Sequence, residues 1–89
     1  MPSQTVVVAS KVGLHARPAS LLVKAAGTSG LAVTVGKPGE KPVNAASLLS
    51  VLALGVKNGD SVELNVADGH NAEAVLAELV EIVSTDHDE

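Results

Sequence analysis

Residues 58–83 read NGDSVELNVADGHNAEAVLAELVEIV, and in this stretch a strand pattern is followed by a helix pattern. Asn58-Gly59 is a turn signal, and apolar and polar residues alternate from Ser61 to Val66, as in a strand with one buried face. After a polar, glycine-containing connection, apolar residues recur at helical spacing. One apolar face on the strand and one apolar stripe on the helix predict a domain of two layers. The residues of that stripe are Ala72, Val75, Leu76, Leu79, Val80 and Val83.

The rest of the chain adds five elements of the same two kinds. Strand patterns occupy residues 5–9, 31–35 and 41–44, and helix patterns occupy residues 18–26 and 47–54. The predicted order is therefore β-α-β-β-α-β-α. This order predicts an α+β fold in which one antiparallel sheet is covered on a single face by the helices. At 89 residues, the whole chain, 1–89, is predicted to be one small domain.

Composition narrows the class of function. Hydrophobic residues make up 46% of the chain, but Phe, Trp, Tyr and Cys are all absent. The core must therefore consist of Val, Leu and Ala, and stacking of nucleic-acid bases on aromatic rings is excluded. A disulfide framework and a thiolate metal site are excluded as well. We see no signal-peptide pattern and no apolar run of membrane-spanning length, and we expect a soluble cytoplasmic protein without nucleic-acid binding or membrane insertion.

Charge is divided between the two parts of the chain. All six basic residues precede residue 60, whereas nine of the ten acidic residues lie in residues 60–89. The division favours a basic face that meets an acidic partner or an anion over general nucleic-acid binding. It is equally compatible with a C-terminal helix that has a solvated acidic surface.

The motif that carries chemistry is GLHARP, residues 13–18. His15 directly precedes a helix start, and Pro18 is placed in the first turn. The first N–H groups of a helix have no intrahelical partner, so those of Ala16 and Arg17 can bind a phosphoryl group carried by His15. The Arg17 guanidinium can add two charge-assisted hydrogen bonds. The positive helix end should also lower the pKa of His15 and keep its imidazole neutral and nucleophilic. A histidine that merely caps the helix or lies on the surface would fit the same pattern.

Two segments resemble signatures of the HPr family, the histidine-containing phosphocarriers of the bacterial phosphotransferase system. Residues 12–19, VGLHARPA, resemble its active-site signature, and residues 44–55, NAASLLSVLALG, resemble its second signature around a regulatory serine. The two segments have the expected separation, with one additional residue in the 36–41 turn. The resemblance covers essentially the whole chain and implies an open-faced β-sandwich, with four antiparallel strands and three helices on one face.

The resemblance also implies a function. His15 would accept a phosphoryl group on Nδ1 from enzyme I, charged by phosphoenolpyruvate, and pass it to sugar-specific IIA domains during sugar uptake. Arg17 matches the arginine that orients the phosphate. The chain would be a stoichiometric carrier without a cofactor and not an enzyme. Ser47 matches a serine modified by an ATP-dependent kinase in many Gram-positive bacteria. Ala46 replaces the lysine that often precedes this serine, and Ser47 is in any case a suitable helix N-cap.

A docking surface is predicted beside the first helix. In residues 47–54 we expect Leu48, Val51 and Leu54 to face the core, which leaves Leu49 and Leu52 exposed. On the first helix, the residues opposite the core stripe contribute to the same surface, with positive charge from Arg17 and Lys24. The predicted docking residues are Ser20, Leu21, Lys24, Leu49 and Leu52.

Three classes of function remain at this point. The first is the phosphocarrier. The second is an HPr-like regulatory module that docks to regulators or enzymes, including a nitrogen-linked branch; such members can lack the histidine, which is present here. The third is an α+β domain of unrelated role. His70 and His87 receive no role, no metal-ligand spacing is visible, and a monomer suits a shuttle that visits two partners with the same face.

Overall fold

The structure is a computed structural model that describes residues 2–9, 13 and 16–85. Within these residues the chain forms four strands and three helices in the order β-α-β-β-α-β-α, as predicted. The elements are β1 (Ser3–Val7), α1 (Ala16–Thr28), β2 (Val33–Gly36), β3 (Val43–Asn44), α2 (Leu48–Ala53), β4 (Ser61–Val66) and α3 (Ala72–Ser84).

The four strands form one antiparallel sheet in the order β1-β4-β2-β3. The C-terminal strand β4 lies between β1 and β2, which explains why its alternation of apolar and polar residues is so regular. Its residues Val62, Leu64 and Val66 are fully buried. Val62 pairs with Val6 of β1, and Leu64 and Val66 pair with Val35 and Val33 of β2. The three helices cover this buried face, which confirms the open-faced α+β architecture.

The opposite face of the sheet is mostly polar, although the exposed Val7 also lies on it. Ser3 of β1 pairs with Asn65 of β4, which pairs with Thr34 of β2, which in turn pairs with Asn44 of β3. Since residues opposite one another in a sheet share a face, these side chains form a row across all four strands. We call this side the open face. The partners Thr5 and Glu63 lie on it beside the row, and both are exposed.

The core between sheet and helices is aliphatic, as the composition required. Each helix contributes a fully buried side chain to it: Leu22 from α1, Val51 from α2 and Leu79 from α3. They face the buried side of the sheet, where Leu64 and Val35 are likewise inaccessible to solvent. Complete burial of a side chain of this size contributes about 1.5–3 kcal/mol to the stability of the fold.

The first strand lies two residues earlier than the predicted 5–9. The backbone N–H of Val66 donates to the carbonyl of Pro2, so pairing with β4 begins at the very start of the described chain. Val8 and Ala9 leave the ladder instead. Their N–H groups donate to the carbonyls of Asp60 and Val83, at 2.9 and 3.2 Å. No helix among the described residues is long and apolar enough to cross a membrane.

Candidate functional site

Helix α1 begins at Ala16, the residue that follows His15 in the sequence. Pro18 is therefore the third helical residue, and it is buried. A proline is well tolerated there because the first-turn N–H that it lacks would have no partner inside the helix. The N–H groups of Ala16 and Arg17 belong to this first turn. His15 itself lies outside the described residues, so the placement of its ring stays a prediction.

Gly13 fixes the chain just before the histidine. It is buried with φ +81°, a backbone conformation that residues with a side chain rarely adopt. A Cβ at this position would overlap the carbonyl oxygen of Val56 and stand 2.7 Å from Cα of Lys57. Only two residues separate Gly13 from the start of α1. The sequence marked Gly13 as a loop residue, but only the structure shows that it packs against the backbone of residues 56 and 57.

The solvent side of α1 is cationic. Arg17, Ser20, Leu21 and Lys24 are all exposed, whereas Ala19, Leu22 and Ala26 on the other side are buried, which confirms the predicted orientation of this helix. Residues three and four apart are neighbours on a helix surface, so the four exposed residues form one stripe. The helix contains no acidic residue, and the stripe therefore carries two positive charges without an acidic neighbour on its own helix.

The predicted orientation of α2 is wrong for two of its leucines. Leu52, expected to be exposed, is half-buried against the core, and Leu48, expected in the core, is 39% exposed. Side chains on a helix tilt toward its N-terminus, so Leu48, the first residue of this short helix, points past the end of the layer. Leu49 is 81% exposed, as expected, and Leu54 is half-buried. Because α2 packs beside α1, the exposed leucines of both helices lie on neighbouring elements.

Ser47 caps α2, as its position in the sequence indicated. Its backbone is extended, and its hydroxyl oxygen accepts a hydrogen bond from the N–H of Ser50 at 3.4 Å. The turn before it is tied by Asn44, whose side-chain oxygen accepts from the N–H of Ala46 at 2.9 Å. Ser47 is half-buried and Ala46 is exposed.

The remaining histidines lie apart from α1 in the sequence. His70 is exposed in the turn that precedes α3, and His87 lies outside the described residues. In the described part of the chain, no group of three or more His, Cys, Asp and Glu side chains could hold a metal ion.

An open antiparallel sheet with a histidine directly before α1 and a serine capping α2 is the arrangement expected of a histidine phosphocarrier. Comparison with known proteins agrees. Residues 2–85 match the family model of the PTS HPr component phosphorylation site, so the chain belongs to the HPr family. It is 45% identical to the phosphocarrier protein HPr of Streptomyces coelicolor, over 94% of this chain and 89% of that one. It is similar in structure to HPr-C-His of Thermoanaerobacter tengcongensis, with a TM-score of 0.84 and 36% identity over 93% of this chain and 91% of that one.

The relatives also include proteins with a different name or assembly. The HPr-like protein Crh of Bacillus subtilis is 39% identical over 93% of this chain and 95% of its own length. A crystal structure of Crh describes a swapped dimer, and a second structure from Thermoanaerobacter tengcongensis is an HPr dimer; their TM-scores to this chain are 0.72 and 0.69.

Proposed function

We propose that this protein is a phosphoryl carrier that accepts a phosphoryl group on Nδ1 of His15 from phospho-enzyme I. It then passes the group to sugar-specific IIA domains in phosphoenolpyruvate-dependent sugar uptake, in the cytoplasm. The observation that carries the proposal is the start of α1 at Ala16, directly after His15, in a chain of the HPr family.

The transfer needs little from the carrier beyond placement and charge. The lone pair on Nδ1 attacks the phosphorus atom, and the bond from phosphorus to the donor atom of enzyme I breaks with its electron pair. Phosphoryl transfer depends mainly on positioning and electrostatic stabilisation. The carrier is a stoichiometric acceptor and donor of the group, without a cofactor or metal of its own, and is not itself an enzyme. The N–H groups of Ala16 and Arg17 and the Arg17 guanidinium stabilise the transferred charge. Because Arg17 is exposed, its side chain can follow the phosphoryl group into the partner complex.

The partners dock on the surface formed by α1 and α2. Leu21 and Leu49 provide exposed apolar contacts, and Ser20 and Lys24 lie on the same stripe of α1 as Arg17. An apolar centre with flanking positive charge suits an enzyme I or IIA surface that is apolar with an acidic rim. Leu52 contributes from the border of this surface through its half-buried side chain, and Leu48 joins it at the other end of α2. A monomer leaves this one surface free for successive partners.

A regulatory role is the second candidate, favoured by the similarity to the HPr-like protein Crh. Phosphorylation of Ser47 by a serine kinase would add a charge of about −1.5 to −2 next to the exposed leucines of α2. A phosphate at a helix N-terminus is compatible with the helix, so this charge would act on docking and not on the fold.

The experiment is phosphorylation by enzyme I and phosphoenolpyruvate, followed by intact mass and by the stability of the label. The wild-type chain should gain one phosphoryl group that is lost in acid and kept in base, as expected of a phosphohistidine. His15→Ala should gain none. His70→Ala is the matched control, since it removes an exposed histidine elsewhere and should label like wild type. A wild-type chain that stays unlabelled by active enzyme I would contradict the carrier and leave the regulatory module.

A further inference from the structure

We infer that residues 56–60, which we call the clamp, position the segment that carries His15, and that Asn58 is a positioning residue for phosphoryl transfer. The inference rests on the proposed function, because it concerns how the histidine is presented to a partner. Its basis is a set of contacts that fasten the chain to one short turn both before and after residues 10–12.

The first attachment is the end of the strand segment. The side-chain Nδ2 of Asn58 donates to the carbonyls of Val8 and Ala9, at 3.4 and 3.3 Å. The backbone N–H of Gly59 donates to the Val8 carbonyl at 3.1 Å, and the N–H of Val8 donates to the Asp60 carbonyl at 2.9 Å. The chain therefore leaves the sheet while bound to the clamp through both backbone and side chain.

The second attachment is Gly13. Its backbone lies so close to Val56 and Lys57 that a Cβ on residue 13 would force the two backbone segments apart. Val56 is buried in the core, so this side of the clamp cannot easily yield. The described residues on either side of 10–12, Val8 and Ala9 before and Gly13 after, are thus both held by the same five-residue turn. In the sequence, His15 follows two residues after Gly13.

The clamp is itself braced. The side-chain oxygen Oδ2 of Asp60 accepts from the N–H of Lys57, and the N–H of Asp60 donates to the Lys57 carbonyl, both at 3.0 Å. Gly59 has φ +87°, which the tight turn requires. From Ser61 the chain continues as β4, which is paired on both sides in the sheet. The clamp is therefore continuous with the sheet, and α1 begins three residues after Gly13.

The precision with which His15 is positioned should affect the rate of phosphoryl transfer. A misplacement of about 1 Å at a distance from the chemistry can lower a rate by about a hundredfold. Asn58→Ala removes the side-chain donor without adding charge, and at an exposed turn it leaves the core intact. We expect it to lower kcat/KM for phosphorylation by enzyme I by about tenfold, within that range.

The test compares Asn58→Ala with Asn65→Ala, a matched control that removes the same side chain on the open face of β4. Rates are measured where circular dichroism shows both variants fully folded, and the His15 ring is followed by NMR through a pH titration. Asn58→Ala should slow the transfer and change the ring chemical shifts and pKa, whereas Asn65→Ala should resemble wild type. Gly13→Ala, which disturbs the contact of residue 13 with the clamp, should likewise slow the transfer and change the His15 signals.

Two outcomes separate this inference from the proposed function. If wild type is phosphorylated but Asn58→Ala changes only the melting temperature, leaving the rate and the His15 signals like those of Asn65→Ala, the clamp is merely structural and the inference is overturned. If wild type is not phosphorylated at all, the carrier proposal fails. The NMR comparison then decides alone: His15 signals that shift in Asn58→Ala and not in Asn65→Ala support the clamp, and unchanged signals overturn it.

Discussion

Leu49→Ser should weaken partner binding without weakening the fold, because the side chain that it removes is 81% exposed on α2. Burial of a whole leucine side chain contributes about 1.5–3 kcal/mol. A partner that covers the exposed four-fifths would therefore lose about 1–2.5 kcal/mol, which raises Kd between about fivefold and seventyfold. The free energy of unfolding should change by less than about 0.5 kcal/mol, as at other surface sites.

The assay is titration calorimetry against enzyme I, together with urea unfolding of each variant. Val7→Ser is the matched control: Val7 is also an exposed aliphatic residue, 57% accessible, but it lies on the open face of the sheet. It should bind enzyme I like wild type. Leu52→Ser should instead lower the free energy of unfolding, because its side chain packs against the core. Equal affinities for Leu49→Ser and Val7→Ser would refute the assignment of the docking surface to α1 and α2.

Three further predictions concern the charge, the helix cap and the core. Arg17→Gln should lower the rate of phosphoryl transfer measured with enzyme I by about a hundredfold, the usual cost of removing one charge-stabilising donor; Lys37→Gln, a cation in the 36–42 turn, should leave that rate unchanged. Ser47→Ala should reduce the free energy of unfolding in urea by about 1 kcal/mol through loss of the cap, whereas Ser47→Asp should retain it. Equal stability of Ser47→Ala and wild type would show that the 3.4 Å hydrogen bond contributes nothing. Leu64→Ala should lower the free energy of unfolding by about 2–5 kcal/mol, and a smaller loss would contradict its complete burial between β4 and the helices.

The elements that the sequence predicted best are those long enough for the spacing of their apolar residues to define one buried face. The bounds of β4 were predicted correctly because both of its neighbours in the sheet demand the same alternation. The orientation of α1 was also predicted correctly, since the pattern over residues 18–26 spans more than two helical turns. Helix α2 has only six residues, and at that length the end of the helix, not its period, decides which leucine is exposed. Leu48 was therefore predicted to lie in the core although it is exposed, and Leu52 was predicted to be exposed although it packs against the core.

Part of the candidate site could not be predicted from local patterns. The hydrogen bond from Asn58 to Val8 joins residues fifty positions apart, and nothing in either segment signals the other. Asn58-Gly59 was correctly identified as a turn, but its attachment to the strand end depends on how β1 and β4 pair. The close contact of Gly13 with Val56 is likewise a product of tertiary packing.

All the described helices lie on one side of the sheet, so the open face lies away from the proposed docking surface on α1 and α2. The chain contains no cysteine, so a cysteine introduced at exposed Thr5 would be its sole thiol. A fluorophore, spin label or surface tether attached there would leave α1 and α2 unobstructed. With the protein immobilised or labelled in this way, single-molecule experiments can test whether enzyme I binds on the other side.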